Sequence, residues 1–257
     1  MEDRQKNKKY TYEDFLEIIR ALRGENGCPW DRVQTHESLK PCMMEEAAEL
    51  LASIRIYDRT GNAENMREEL GDVLLQVVMH AQIASEEGIF TMADVVDEVS
   101  RKMIRRHPHV FGTCNADTSE EALANWEEIK KEEKKDKAWI ESPLREIPQE
   151  LPALTRAAKV LKRIDKNYKE GNSYEQNVEL LQRAVDALKT CGHEPYDREL
   201  ERIVGDMLMG ISDIARIAKI SQEQILTDRI EDLIDRYDGQ NSTELSGNDS
   251  GGKTPQL

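Results

Sequence analysis

Apolar residues recur at three-and-four spacing over Tyr12 to Arg23, Glu37 to Asp58, Ala63 to Glu87, Met92 to Arg106 and Ser119 to Lys137, and no period-two pattern competes with them. That spacing lines one face of an α-helix, so the chain is constrained to an all-α fold. The breaks between segments are chemically explicit: Gly24, Gly27 and Pro29 follow the first, Thr60-Gly61-Asn62 the second and Gly88 the third. Asp94 and Ser119 stand where capping or first-turn residues belong.

At 257 residues the chain exceeds the usual single-domain size, so two domains are expected. A charge run over Lys130 to Lys137 and three prolines between Pro143 and Pro152 place a boundary near 140 to 150. A second helical region follows from about Leu154 to Tyr237, and the polar stretch after Gly239 reads as a disordered tail. Laying Gly71 to Ala84 over Gly205 to Ala218 gives six identities in fourteen positions, the mark of an internal duplication.

Composition narrows the function. No apolar run approaches the roughly 20 residues a membrane helix needs, and the N-terminal segment has no apolar stretch of signal-peptide type, so a cytoplasmic protein is expected. A formal net charge of −15 argues against a nucleic acid partner, because binders of phosphate backbones display broad basic surfaces. Any phosphate site must be local. Cys28, Cys42, Cys114 and Cys191 show no zinc or redox spacing and read as reduced thiols.

The chemistry concentrates in carboxylates. Glu45, Glu46 and Glu49 fall within roughly a 100° arc of one helix, and Glu69 and Asp72 share a face of the next. Counted outward from a turn at Gly61, Glu49 and Asp72 lie at nearly equal distances, so antiparallel packing lets the two patches face each other. Leu50, Leu51 and Ile54 on one helix, and Leu70, Val73, Leu74, Val77 and Val78 on the other, are expected to set the acids beside an apolar core. Clustered carboxylates must take up protons or recruit a cation, and at neutral pH a divalent ion is the more economical answer. Oxygen ligands favour a hard ion, Mg²⁺ with Mn²⁺ as substitute. The bland alternative is a solvated acidic face. A di-iron carboxylate bundle would need Glu-x-x-His pairs, and the nearby His80 is preceded at that spacing by Val77.

Two further features bear on substrate. Lys102 and Arg106, four apart with Arg105 beside them, form a basic helical face that either complements the helix dipole or meets phosphates shared with the ion. Asn26-Gly27-Cys28-Pro29-Trp30-Asp31 is a rigid turn that presents Trp30 for stacking on a base or for plugging the core.

With these residues assembled, about the first 112 positions resemble the MazG family of all-α nucleoside triphosphate pyrophosphohydrolases. The resemblance is carried by ENGCPWD at Glu25 to Asp31, EEAAEL at Glu45 to Leu50, EELGDVLLQVV at Glu68 to Val78 and KMIRRHPHVFG at Lys102 to Gly112. It implies cleavage between the α and β phosphates of a nucleoside triphosphate, serving to sanitise the nucleotide pool. Carried over by position, it implies Glu46, Glu49, Glu69 and Asp72 as metal ligands with Glu45 completing the catalytic set, and Lys102, Arg105 and Arg106 as phosphate contacts. It divides the chain into a catalytic domain at 1–118, a charged helix and Pro-containing linker at 119–150, a second MazG-like helical bundle at 151–238 and the tail at 239–257.

The second repeat has lost the metal pattern. An ungapped overlay sets Glu179, Leu180 and Arg183 against the first acidic helix and Ile203 against Glu69, while a shift of three residues gives Gln182, Arg183 and Asp186. Neither register restores a cage, so this repeat is not expected to catalyse. Short helical hairpins offer small cores, and a homodimer or higher homo-oligomer is expected. A non-catalytic helical module using the acids as a structural Mg²⁺ site is the rival of a different class, and a pyrophosphohydrolase for a modified nucleotide or phosphoribosyl-ATP is the nearer one.

Overall fold

The computed structural model describes residues 8–112, 115–133, 142–192 and 197–247, and among them there is no strand. Two compact units divide at Lys134 and Lys135. The division lies just before the proline-bearing segment, because the charged helix expected to bridge the domains belongs with the first unit.

The first unit contains α1 (Tyr12–Arg23), α2 (Pro29–Arg32), α3 (Lys40–Thr60), α4 (Glu64–Glu86), α5 (Met92–Arg106), α6 (Pro108–Phe111) and α7 (Ser119–Glu133). The limits of α1 and α5 coincide with the apolar periodicity. Both start with a capping box, Thr11 with Asp14 and Thr91 with Asp94, so orphan amides of the first turn are satisfied reciprocally. The turns after Cys28 and His107 are themselves short helices, each with a proline at its start, where a missing N–H costs nothing.

Packing of α3 along α4 sets the architecture. Their turn is closed by Gly61 in the left-handed region at φ +72°, its N–H donating to the Tyr57 carbonyl at 2.7 Å. Asn62 then accepts from the Glu64 amide at 2.8 Å and starts α4. The core formed by Ile19, Leu39, Val78, Met79 and Ile83, with Phe15, Leu16 and Cys42 against it, sits where α1 and the start of α3 meet the C-terminal half of α4. This corrects the expectation that the acids border a buried core. Of the apolar residues expected beside the acids, Val78 belongs to the core but Leu51, Ile54, Leu70 and Leu74 are exposed, because the buried residues of α4 gather in its C-terminal half.

Glu133 fastens helix α7 to α5. Glu133 accepts from Arg105 Nε at 2.7 Å and from Arg106 Nη2 at 2.5 Å, while Arg106 also lies over the Trp126 ring at 5.1 Å. These two guanidinium groups hold the Glu133 carboxyl down at about 2, with the Arg106 hydrogen bond the largest cause.

The second unit contains α8 (Ala153–Tyr168), α9 (Tyr174–Leu188), α10 (Arg198–Ile217) and α11 (Gln222–Gly247). In it α9 packs along α10 as α3 does along α4. Laid over one another without a gap, Lys40 meets Tyr174 and Glu64 meets Arg198, so both helices of each hairpin begin at corresponding residues. This favours the ungapped register of the duplication. The final helix runs to Gly247, past the start of the expected tail at 239, since helix propagation needs only local hydrogen bonds once nucleated; residues 248–257 lie outside the described set. Cys28, Cys42 and Cys191 are free thiols, as expected, and Cys114 lies outside the described residues.

Two expectations follow. Gly61→Ala places a Cβ in open space but in left-handed backbone, so urea denaturation should show a loss of about 1 kcal/mol, with Gly61→Asn recovering part of it. Glu133 has a depressed folded-state pKa, so its stabilisation is present above the ordinary value of 4.5 and disappears as pH falls toward about 2. Acid titration of Glu133→Gln should therefore differ from the parent at neutral pH and converge with it near pH 2; a constant offset across that window would contradict the assignment.

Candidate active site

The α3–α4 hairpin brings together the acids it was expected to join. One carboxylate oxygen from each of Glu46, Glu49 and Glu69 lies within 4.8 Å of the others, Glu46 being half-buried and Glu49 exposed. Helical spacing puts Glu46 and Glu49 one turn apart on α3, and Glu69 reaches them across the hairpin from α4. Asp72 stands close enough to matter electrostatically. The Glu46 carboxyl is raised above its ordinary range first by desolvation, then by the charges of Asp72, Glu49, Glu69 and Glu45 in that order. Glu45 is exposed, exerts the weakest of these repulsions and stays outside the three-residue group.

Glu69 is oriented by a residue that periodicity does not reveal. Asn65, one turn earlier on α4, donates from Nδ2 to Glu69 Oε1 at 2.7 Å. That leaves the second oxygen of Glu69 for a ligand. An amide one turn before a carboxylate is a visible sequence signal, though a common one.

The donor set is chemically uniform. It consists of carboxylate oxygens, with no thiolate or imidazole among the three grouped ligands. Such a set matches a hard divalent cation, which would relieve the repulsion that adds to desolvation in raising Glu46.

Trp30 is 58% exposed on α2, so it does not plug the core. Its turn is held by close backbone packing: Cys28 N–H donates to the Leu22 carbonyl at 2.8 Å, and a Cβ on Gly27 would overlap the Leu22 and Ala21 carbonyl oxygens. Only glycine fits there. Arg23 ties the same loop to α4, donating to the Asp31 and Gln34 carbonyls at 2.6 and 3.2 Å and to Glu86 at 2.7 Å. Its guanidinium is nearly buried and pulls the Glu86 carboxyl down. His36 and His80 make a second tie, with Nδ1 atoms 2.8 Å apart in nearly coplanar rings. Burial, and then the charge of His36, lower the His80 pKa. Neither tie was legible in sequence, since nothing in local spacing joins positions so far apart.

The basic face is divided by the structure. Lys102 is half-buried and makes no ion pair among the described residues, whereas Arg105 and Arg106 are both engaged by Glu133. Among the described residues, no hydrogen bond or ion pair joins these three cations to the carboxylate cluster.

Comparison with known proteins gives this geometry a context. Residues 34–111 match the model of the MazG nucleotide pyrophosphohydrolase domain, a span that includes α3, α4 and α5 entire. The chain is 44% identical to YabN of Bacillus subtilis over 85% of its own length, but spans only 44% of that protein. It is 39% identical to the nucleoside triphosphate pyrophosphohydrolase/pyrophosphatase MazG of Thermotoga maritima, covering 88% of this chain and 84% of that one. It is 41% identical to the nucleoside triphosphate pyrophosphohydrolase of Escherichia coli K12, covering 79% of this chain and 76% of that one. With an all-helical fold, an acidic hairpin inside the matched span and relatives aligned along most of both chains, this protein belongs to the MazG family of nucleoside triphosphate pyrophosphohydrolases.

Proposed function

We propose that the first unit hydrolyses nucleoside triphosphates between the α and β phosphates in a Mg²⁺-dependent reaction, releasing a nucleoside monophosphate and pyrophosphate and serving to sanitise the nucleotide pool. The observation that carries this reading is the convergence of Glu46, Glu49 and Glu69 oxygens within 4.8 Å across the α3–α4 hairpin. Together with Asp72 these residues would hold the ion, which when bound supplies Lewis-acid polarisation and a more acidic water.

The protein's own groups divide the remaining work. Asn65 holds Glu69 in one rotamer, so that ligand is prepositioned. Glu45 stands beside the cluster at its exposed edge, where it can orient water entering from solvent. Lys102, the cation of its helix that has no ion-pair partner among the described residues, is available to a phosphate; Arg105 and Arg106 would have to share Glu133 with substrate to do the same. Trp30 offers an exposed ring for base stacking, which tolerates any base because each has a π face. Exposed apolar residues along the hairpin, Leu51, Ile54, Leu70 and Leu74, support a homo-oligomer in which they are covered. No helix among the described residues is long and apolar enough to cross a membrane, in keeping with a cytoplasmic setting.

A panel of nucleoside triphosphates with Mg²⁺, resolving monophosphate and pyrophosphate products, tests the reading; absence of pyrophosphate from every member would overturn it. Glu49→Gln and Asp72→Asn are expected to lower turnover by about two orders of magnitude or more, since each removes a charged ligand. Relieving repulsion at Glu46, they should leave metal-free thermal stability level or higher. A collapse of the metal-free fold would instead make the carboxylates structural.

Lys102→Ala should impair hydrolysis while calorimetric Mn²⁺ binding without nucleotide stays nearly intact. Equal losses in both measurements would move Lys102 from the substrate to the ion.

A further inference from the structure

In the second unit a cavity of about 470 Å³ opens between α8, α9 and α10. It lies where the hairpin of the first unit carries its carboxylates. In the ungapped register, Leu180 stands for Glu46, Arg183 for Glu49, Ile203 for Glu69 and Asp206 for Asp72, and all four line the cavity. The residues of the shifted register behave differently: Gln182 and Asp186 are exposed, and Asp186 pairs with Lys189 at 2.7 Å.

The chemistry of the place has been inverted. Its one surviving carboxylate from the cage, Asp206, is paired with Arg202 at 2.8 Å, and Arg183 shares the cavity, so a divalent cation would be repelled. Among the described residues Arg183 bonds the Glu179 carbonyl of its own helix, at 3.4 Å, and has no carboxylate partner. A guanidinium in that state is a ready bidentate donor to phosphate.

The deep end is a fixed polar surface. Asn177 and Asp213 are almost wholly buried. Asn177 Nδ2 donates to Asp213 Oδ2 at 2.7 Å, and its Oδ1 accepts from Asn172 at 3.1 Å. Arg216 neutralises Asp213 from outside the cavity, donating from Nε to Oδ1 at 2.6 Å. Asn172 thereby spends one amide hydrogen on Asn177 and keeps its oxygen for a sugar hydroxyl or base edge. Leu180, Ile203 and Met209 supply apolar wall. The volume lies within the roughly 300–1,000 Å³ of small-molecule sites.

We propose that the second unit is a metal-independent binding site for a nucleoside monophosphate, with the phosphate on Arg183 and the nucleoside against the Asn172–Asn177 surface. One guanidinium can hold one phosphate group bidentately, leaving about one negative charge to solvent, whereas a triphosphate, with about four negative charges, would meet Asp206 and too few cations. The choice of a nucleotide rests on the reaction proposed for the first unit, of which a nucleoside monophosphate is a product.

The test is equilibrium binding of AMP, GMP, CMP and UMP to the full chain in EDTA, where hydrolysis is not read. At least one should bind saturably with Kd below about 1 mM. Arg183→Ala should weaken it at least tenfold and Arg183→Lys less, whereas Glu49→Gln should leave it unchanged. Circular dichroism of both Arg183 variants separates loss of the site from loss of the fold. No binding by the parent, affinity indifferent to Arg183, equal loss in Glu49→Gln, or inorganic phosphate binding as tightly as the nucleotide would each overturn the proposal. Because the assay needs neither metal nor turnover, it can fail while pyrophosphate release by the first unit stands, and the reverse.

Discussion

Repulsion among carboxylates across the α3–α4 hairpin is the constraint on which the rest of the first unit depends. Desolvation, then the charges of Asp72, Glu49, Glu69 and Glu45, raise the Glu46 carboxyl, and this repulsion opposes the packing that brings three acidic oxygens within 4.8 Å. The fold answers by placing its cohesion elsewhere. Ile19, Leu39, Val78, Met79 and Ile83 close the hairpin at the end remote from the turn, and Gly61 closes it covalently at the other. Between these two clamps the acids are held in register while remaining wet enough to accept a cation.

The segments around the hairpin are secured by side chains acting at long sequence separation. Arg23 and the His36–His80 pair bind the Trp30 loop to the C-terminal half of α4, and Glu133 binds α7 to α5. Each is a polar tie made where apolar cover is thin. In an α-helical unit with so small a core, directional contacts of this kind decide which loop lies over which helix.

Helix identity and the acidic pairing were legible in the sequence because both obey local rules. The 3.6-residue period gave α1 and α5 their limits, and the spacing of Glu46, Glu49 and Glu69 around Gly61 was enough to bring them face to face. The position of the core was not legible: Leu51, Ile54, Leu70 and Leu74 have the pattern of buried residues but are exposed. An apolar stripe reports that a helix face seeks cover, without saying whether the same chain supplies it. Arg105 and Arg106 show a similar limit, since their engagement by Glu133 depends on a helix fold-back that local spacing does not encode. The register of the second repeat, open in the sequence, is favoured by helix starts at Tyr174 and Arg198.

Separating the core from the acids has an evolutionary consequence. A site whose residues contribute little to cohesion can drift, after duplication, without carrying the scaffold down with it. The second hairpin has its helices starting at corresponding residues, while Leu180, Arg183 and Ile203 stand at the positions of three of the four carboxylates. Where ligands and core occupy the same stretch of helix, such changes would be purged as folding defects. Here one hairpin plan carries carboxylates at these positions in the first unit and Arg183 among apolar side chains in the second.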